Sequence, residues 1–114
     1  MNICFEYLYR DGANYKNWGE VILRPTPGLD LINADSQIRS ALIDGEHFVA
    51  EEVNIPTLYF LKWDQSIDHG WHEYSCVSWT AADTTITATI AELIEELVTS
   101  QNQYRSVTQI RINK

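Results

Sequence analysis

The chain is predicted to fold as α+β, a two-layer sandwich with a mainly antiparallel sheet of four to five strands and two helices on one face. Three observations lead there. Period-two alternation runs over Asn2–Arg10 and returns over Trp71–Thr80, the spacing that sends successive side chains to opposite faces of a strand. Ile86, Ile90, Leu93, Ile94, Leu97 and Val98 recur at helical spacing, with Glu92, Glu95, Glu96 and Gln101 assigned to the solvent side. Runs of strands are broken by only two helical patterns, which suits helices packed on one face of an antiparallel sheet. With 114 residues and 45% apolar content, the chain can bury one core, so residues 1–114 are read as a single domain.

The first strand, Asn2–Arg10, carries Ile3, Phe5, Tyr7 and Tyr9 on one side and Cys4, Glu6, Leu8 and Arg10 on the other. Its partner is Trp18–Arg24. Asp11-Gly12-Ala13-Asn14 between them supplies residues that tolerate positive φ, so a hairpin with a decorated loop is expected. Pro25-Thr26-Pro27-Gly28 ends the second strand, because proline lacks a ladder donor. A short helix capped by Asp35 or a neighbour runs to Ile43, with Ile38, Ala41 and Leu42 inward and Gly45 near its stop. Phe48–Asn54 reads mostly as loop, and Leu58–Trp63 as a strand. Trp71–Thr80 has apolar or aromatic groups on both faces, which suggests an interior strand. Thr84 or Thr85 caps the last helix. Val107–Asn113 alternates and predicts a short final strand whose edge is blunted by Arg105, Arg111 and Lys114.

Charge bounds the function. Eight Lys and Arg stand against 16 Asp and Glu, a net charge of −8, so a phosphate backbone or anionic membrane meets an overall repulsive field. Neither nucleic acid nor membrane is expected as a partner. From Ser40 to Tyr104 the only basic residue is Lys62, so the middle of the chain is strongly acidic. No apolar run has spanning length and the N-terminus lacks a signal-peptide layout, which predicts a cytoplasmic protein. Cys4 and Cys76 form no Cys-x-x-Cys pair and read as reduced, buried thiols.

Two clusters of chemistry stand out. The hairpin loop brings Arg10, Asp11, Asn14, Tyr15, Lys16 and Trp18 close in sequence, more ionic and aromatic character than chain reversal requires. Asp11 and Asn14 can accept backbone N–H groups and Arg10 can brace the turn. Tyr15 and Lys16 are then left as a phenol and a cation for a small anion or carboxylate. The second cluster is Asp68, His69, His72 and Glu73, whose imidazoles and carboxylates are suitable ligands for a divalent metal if a turn converges them. On a regular strand His69 and His72 face opposite sides. His47 could add a ligand. Four Trp and six Tyr exceed what a small core needs, so some of Tyr7, Tyr9, Tyr15, Trp18, Trp63, Trp71 and Trp79 are candidates for a groove or dimer contact.

Catalytic signatures are sparse. The chain has no phosphate-cradling glycine loop, dinucleotide fingerprint, Gly-x-Ser-x-Gly elbow or His-Glu-x-x-His pattern. Cys76 lies four residues after His72, two side-chain steps along one strand face and too far for direct activation. No catalytic residue is assigned.

The segment Tyr9-Arg10-Asp11-Gly12-Ala13-Asn14-Tyr15-Lys16-Asn17-Trp18-Gly19 resembles an opening motif of a family of small, uncharacterised bacterial proteins of similar length. Asp68-His69-Gly70-Trp71-His72-Glu73 is similar to a second recurring segment of that family. Gly12 fits the small residue after the Asp, whereas Gly70 stands where the family pattern has proline before the Trp. The resemblance implies a bacterial protein and brings no reaction, cofactor or ligand. The expectation is an intracellular binding or interaction module, homo-oligomeric or with a protein partner, whose loop Arg10–Trp18 and segment Asp68–Glu73 form one surface. The alternative is an acidic immunity or antitoxin-like protein that neutralises a basic partner; a weaker one is a metal-assisted hydrolase.

Overall fold

Strand β1, Asn2–Arg10, lies between β2, Lys16–Leu23, and β4, His72–Thr80, and a two-residue β3, His47–Phe48, lies outside β4. All pairings are antiparallel, giving a four-stranded sheet of order β2-β1-β4-β3. The computed structural model describes residues 1–112. Helix α1 spans Leu31–Ala41 and helix α2 spans Ile90–Ile112. Both cover the sheet face that carries Ile3, Phe5, Tyr7, Val21 and Leu23, with Ile38, Ile90, Leu93 and Leu97 facing them in the core. The result is a small α+β fold. No helix among the described residues is long and apolar enough to cross a membrane.

Several boundaries differ from the sequence reading for local reasons. Helix α1 is capped by Asp30, whose carboxylate accepts the Asn33 N–H at 2.8 Å, so it starts ahead of Asp35. Asp35 instead accepts the Tyr74 hydroxyl at 2.6 Å and pairs with Arg39 at 3.0 Å. Helix α2 starts at Thr89 with a capping box: Thr89 Oγ1 accepts the Glu92 N–H at 3.3 Å, and Glu92 Oε1 accepts the Thr89 N–H at 3.1 Å. Thr85 is tied to β2, its Oγ1 accepting the Ile22 N–H at 2.9 Å, and Ile86 therefore precedes the helix. Gln101 is not on the solvent side. It is buried, and its amide donates to the Leu42 carbonyl at 2.6 Å just past the end of α1. Val98, assigned to the apolar stripe, is exposed. Helix continues through Ile112 where a terminal strand was expected; Asn113 and Lys114 lie outside the described residues.

Leu58–Trp63 is not a strand, and at its first residue side chains take the backbone groups. The Leu58 N–H donates to His72 Nε2 and the Leu58 carbonyl accepts from Asn17 Nδ2, both at 2.9 Å. Phe48–Asn54 holds the second residue of β3 and a single 3-10 turn, Ala50–Val53, closed by Asn54 at φ 60. β4 is interior in the sheet order, as expected, and a bulge adds to its two-sided pattern. Tyr7 pairs with Tyr74 and Glu6 with Cys76, leaving Ser75 extra. His72 and Tyr74 face the helices before it; Val77 and Trp79, opposite Phe5 and Ile3, do so after it. Cys4 and Cys76 thus sit on the open face and not in the core. Their thiols donate to Glu20 at 2.9 Å and Glu6 at 3.2 Å. Desolvation, followed by the Glu20 hydrogen bond, pushes the Cys4 thiol up to about 12, so it stays protonated.

Candidate functional site

Residues 55–71 form an irregular strap that crosses the end of the sheet and docks on the hairpin loop. Side-chain donors and acceptors hold its start. The Tyr7 hydroxyl donates to the Pro56 carbonyl at 2.6 Å, and Leu58 is held between Asn17 and His72. Gly19 makes room for it, since a Cβ there would come within 2.7 Å of the Leu58 side chain. The far end is latched to β1. The buried Tyr9 hydroxyl donates to Asp68 Oδ1 and accepts the His69 N–H at 3.2 Å, while Asp68 Oδ2 accepts the Asp64 N–H at 2.6 Å.

Gly12 joins loop and strap directly, its N–H donating to the Ile67 carbonyl at 2.6 Å. Positive φ in the loop falls to Asn14, at φ 68. Gly12 is needed for close approach: an added Cβ would lie 3.0 Å from the Ile67 carbonyl oxygen and 3.2 Å from its Cα, both backbone atoms. Gly12→Ala is therefore expected to lower stability by about 1–3 kcal/mol, the usual cost of overpacking. Urea denaturation monitored by circular dichroism checks this; an unchanged midpoint would show that the strap yields freely.

Three loop residues are engaged internally. Asp11 Oδ1 accepts the Ala13 and Tyr15 N–H groups at 2.9 and 3.0 Å, an Asx-type brace. Arg10 donates to Glu73 at 2.8 Å and to Asn14 Oδ1 at 2.6 Å. Tyr15, Lys16 and Trp18 point outward and are exposed. Neither Lys16 nor Lys62 makes an ion pair among the described residues. The two lysines border one open groove of about 310 Å³ between loop and strap, walled by Tyr15, Phe60 and Ile67. Asp11 and Asp68 also reach it; both Asp68 oxygens and Asp11 Oδ1 accept hydrogen bonds, and Asp11 Oδ2 has no partner among the described residues. Trp18 is not part of this groove; it borders a separate shallow depression with Glu6 and Glu20 on the open face.

The four metal-ligand candidates are not brought together. Asp68 serves Tyr9 and Asp64, and Glu73 serves Arg10. His69 Nε2 donates to the Arg10 carbonyl at 2.7 Å, and its Nδ1 accepts the Trp71 N–H at 3.1 Å. His72 is fully buried among the rings of Tyr7, Tyr9, Phe48 and Tyr59. His47 stacks near Trp71. Among the described residues no group of three His, Cys, Asp or Glu is placed to hold a metal ion.

No family model, curated protein or solved structure matches the chain. Sequence reasoning misses Phe60 and Lys62, which fall in a predicted strand, and Ile67, which falls in no predicted element. Lys62 did carry a signal, as the lone cation in an acidic stretch of more than half the chain.

Proposed function

We propose that the protein is a small binding module whose groove takes a ligand with a compact apolar body and one carboxylate. The observation that supports this is the meeting of Lys16 with Lys62 at an apolar cleft. In a chain of net charge −8, the only cation between Ser40 and Tyr104 falls beside the loop's own cation. Tyr15, Phe60 and Ile67 offer a surface for an aromatic or branched body, and two ammonium groups that make no ion pair among the described residues offer a counter-charge. The cleft is near the lower end of small-molecule site volumes, which suits a ligand of about ten heavy atoms.

Phenylacetate titrated into isotope-labelled protein is the test. Resonances of Tyr15, Lys16, Phe60 and Lys62 are expected to shift together. Phenylacetamide, of the same shape without the charge, should bind about tenfold more weakly, a difference of about 1.4 kcal/mol. Lys16→Met combined with Lys62→Met should abolish that preference. Shifts that avoid these residues, or equal response to acid and amide, would overturn the reading.

A second reading, neutralisation of a basic partner in the manner of an immunity or antitoxin protein, is supported by a different surface. Glu92, Glu95 and Glu96 of α2 line one groove with Glu52. A lysine-rich peptide that shifts these residues and spares Tyr15 and Lys62 would favour it over the first.

A further inference from the structure

The two edges of the sheet are treated differently. The outer side of β2 is covered: Asn17 bonds the strap, Ile22 exchanges hydrogen bonds with Thr85, and the Arg24 carbonyl accepts the Ile90 N–H at 2.9 Å. The outer side of β4 is covered only at its start. There β3 pairs with Glu73 and His72, the Glu46 carbonyl accepts the Tyr74 N–H at 3.0 Å, and Arg39 reaches the Ser75 carbonyl at 3.4 Å. From Cys76 to Thr80 the outward backbone groups have no partner among the described residues.

Such an edge is normally blunted by a charge or a proline. Ser75-Cys76-Val77-Ser78-Trp79-Thr80-Ala81-Ala82 contains neither, although the chain has 16 acids. Trp79, on the helix-covered side opposite Ile3, remains 47% exposed. Two copies of a −8 protein repel each other over most of their surfaces. Along this run they do not.

We propose that β4 pairs antiparallel with β4 of a second copy of this chain, about a two-fold axis at Ser78, joining two four-stranded sheets into one. Residues opposed across a continuous sheet share a face, so a register centred on Ser78 sets Val77 against the second copy's Trp79 and Cys76 against its Thr80. The two Val77–Trp79 contacts extend the helix-covered layer and bury the half-exposed indole. Aromatic and β-branched residues are a favourable cross-strand combination. The contact is isologous, so it closes at a dimer and leaves no edge for further growth. It is separate from the Lys16–Lys62 groove and stands or falls without it.

Light scattering coupled to size exclusion, run from micromolar to millimolar protein, reads the outcome. A monomer–dimer equilibrium that tightens with added salt is expected, because salt screens the net charge. Ser78 is exposed on the open face, so Ser78→Glu leaves the fold intact while setting two carboxylates against each other on the axis. It should weaken dimerisation at least about tenfold, with unchanged circular dichroism and urea midpoint. Ser78→Cys, in a background with Cys4→Ser and Cys76→Ser, tests the register. Opposed Cα atoms in an antiparallel pair are about 4.5–5.5 Å apart, within disulfide reach. Glutathione disulfide should therefore link the two copies. A monomer throughout the range, a dimer insensitive to Ser78→Glu, or a dimer that fails to cross-link at position 78 would each overturn the proposal.

Discussion

Tyr9→Phe is expected to lower the stability of the fold by about 2–3 kcal/mol, the range for a buried hydrogen bond to a charged group plus an orphaned donor. The ring would stay where it is, packed against Tyr59, Phe60, His69 and His72. Only the hydroxyl is lost. That hydroxyl donates to the Asp68 carboxylate and accepts the His69 N–H, so one oxygen holds two points of the strap. Burial, then the Asp68 hydrogen bond, pushes the Tyr9 phenol up to about 12, so it remains a donor at any ordinary pH. Urea titration gives the size of the effect and amide hydrogen exchange gives its location. Exchange should accelerate in residues 59–70 before it does in the helices. A loss below about 0.5 kcal/mol would mean that the latch is replaced by water at no cost.

Mild acid is expected to destabilise the protein through His72. Its Nε2 accepts the Leu58 N–H, which places the ring proton on Nδ1, and Nδ1 is buried without a partner. Burial is the main cause that lowers its pKa from 6.5 to about 4. The folded state thus resists a proton that the unfolded chain accepts. The associated stability is complete above pH 6.5, falls as the pH drops through that window, and is gone below about 4. The full linkage is about 3 kcal/mol. Asp35 is depressed below 3.8, chiefly by the Tyr74 hydroxyl, and its own contribution is lost only at still lower pH. His72→Gln keeps an acceptor for Leu58 and removes the titration. The difference in unfolding free energy between wild type and variant should change between pH 6.5 and 4 and be flat above. A pH-independent difference would show that His72 does not titrate with folding.

What was legible in the sequence was whatever had a long, regular period. Strand β1 and the buried positions Leu93, Ile94 and Leu97 of α2 follow from spacing alone. Helix starts were read late in one case and early in the other, because several residues near each could cap. Asp30 won over Asp35 by having Asn33 in reach, and Thr89 won over Thr85 by having Glu92. The strap was opaque for a different reason. Leu58-Tyr59-Phe60-Leu61 has strand composition, yet the backbone of Leu58 is bonded by side chains of Asn17 and His72, both distant in sequence. Half of the candidate site was visible in Tyr15 and Lys16. The other half, Phe60 and Lys62, depended on where that segment docks, which no local pattern encodes. Asp68 and Glu73 have equally distant partners, Tyr9 and Arg10 on a strand some 60 residues earlier.

The unpaired Ser75 in β4 works as a reading-frame device for side chains. Without Ser75, Tyr74 would still oppose Tyr7 and Cys76 would still oppose Glu6, so a one-codon deletion there would leave a plain alternating strand with Val77 and Trp79 on the same side as before. An extra residue placed just after Cys76 would do the opposite, thrusting Val77 and Trp79 into water and pressing Ser78 beneath the helices. The strand is therefore far more tolerant of losing a residue at this point than of gaining one.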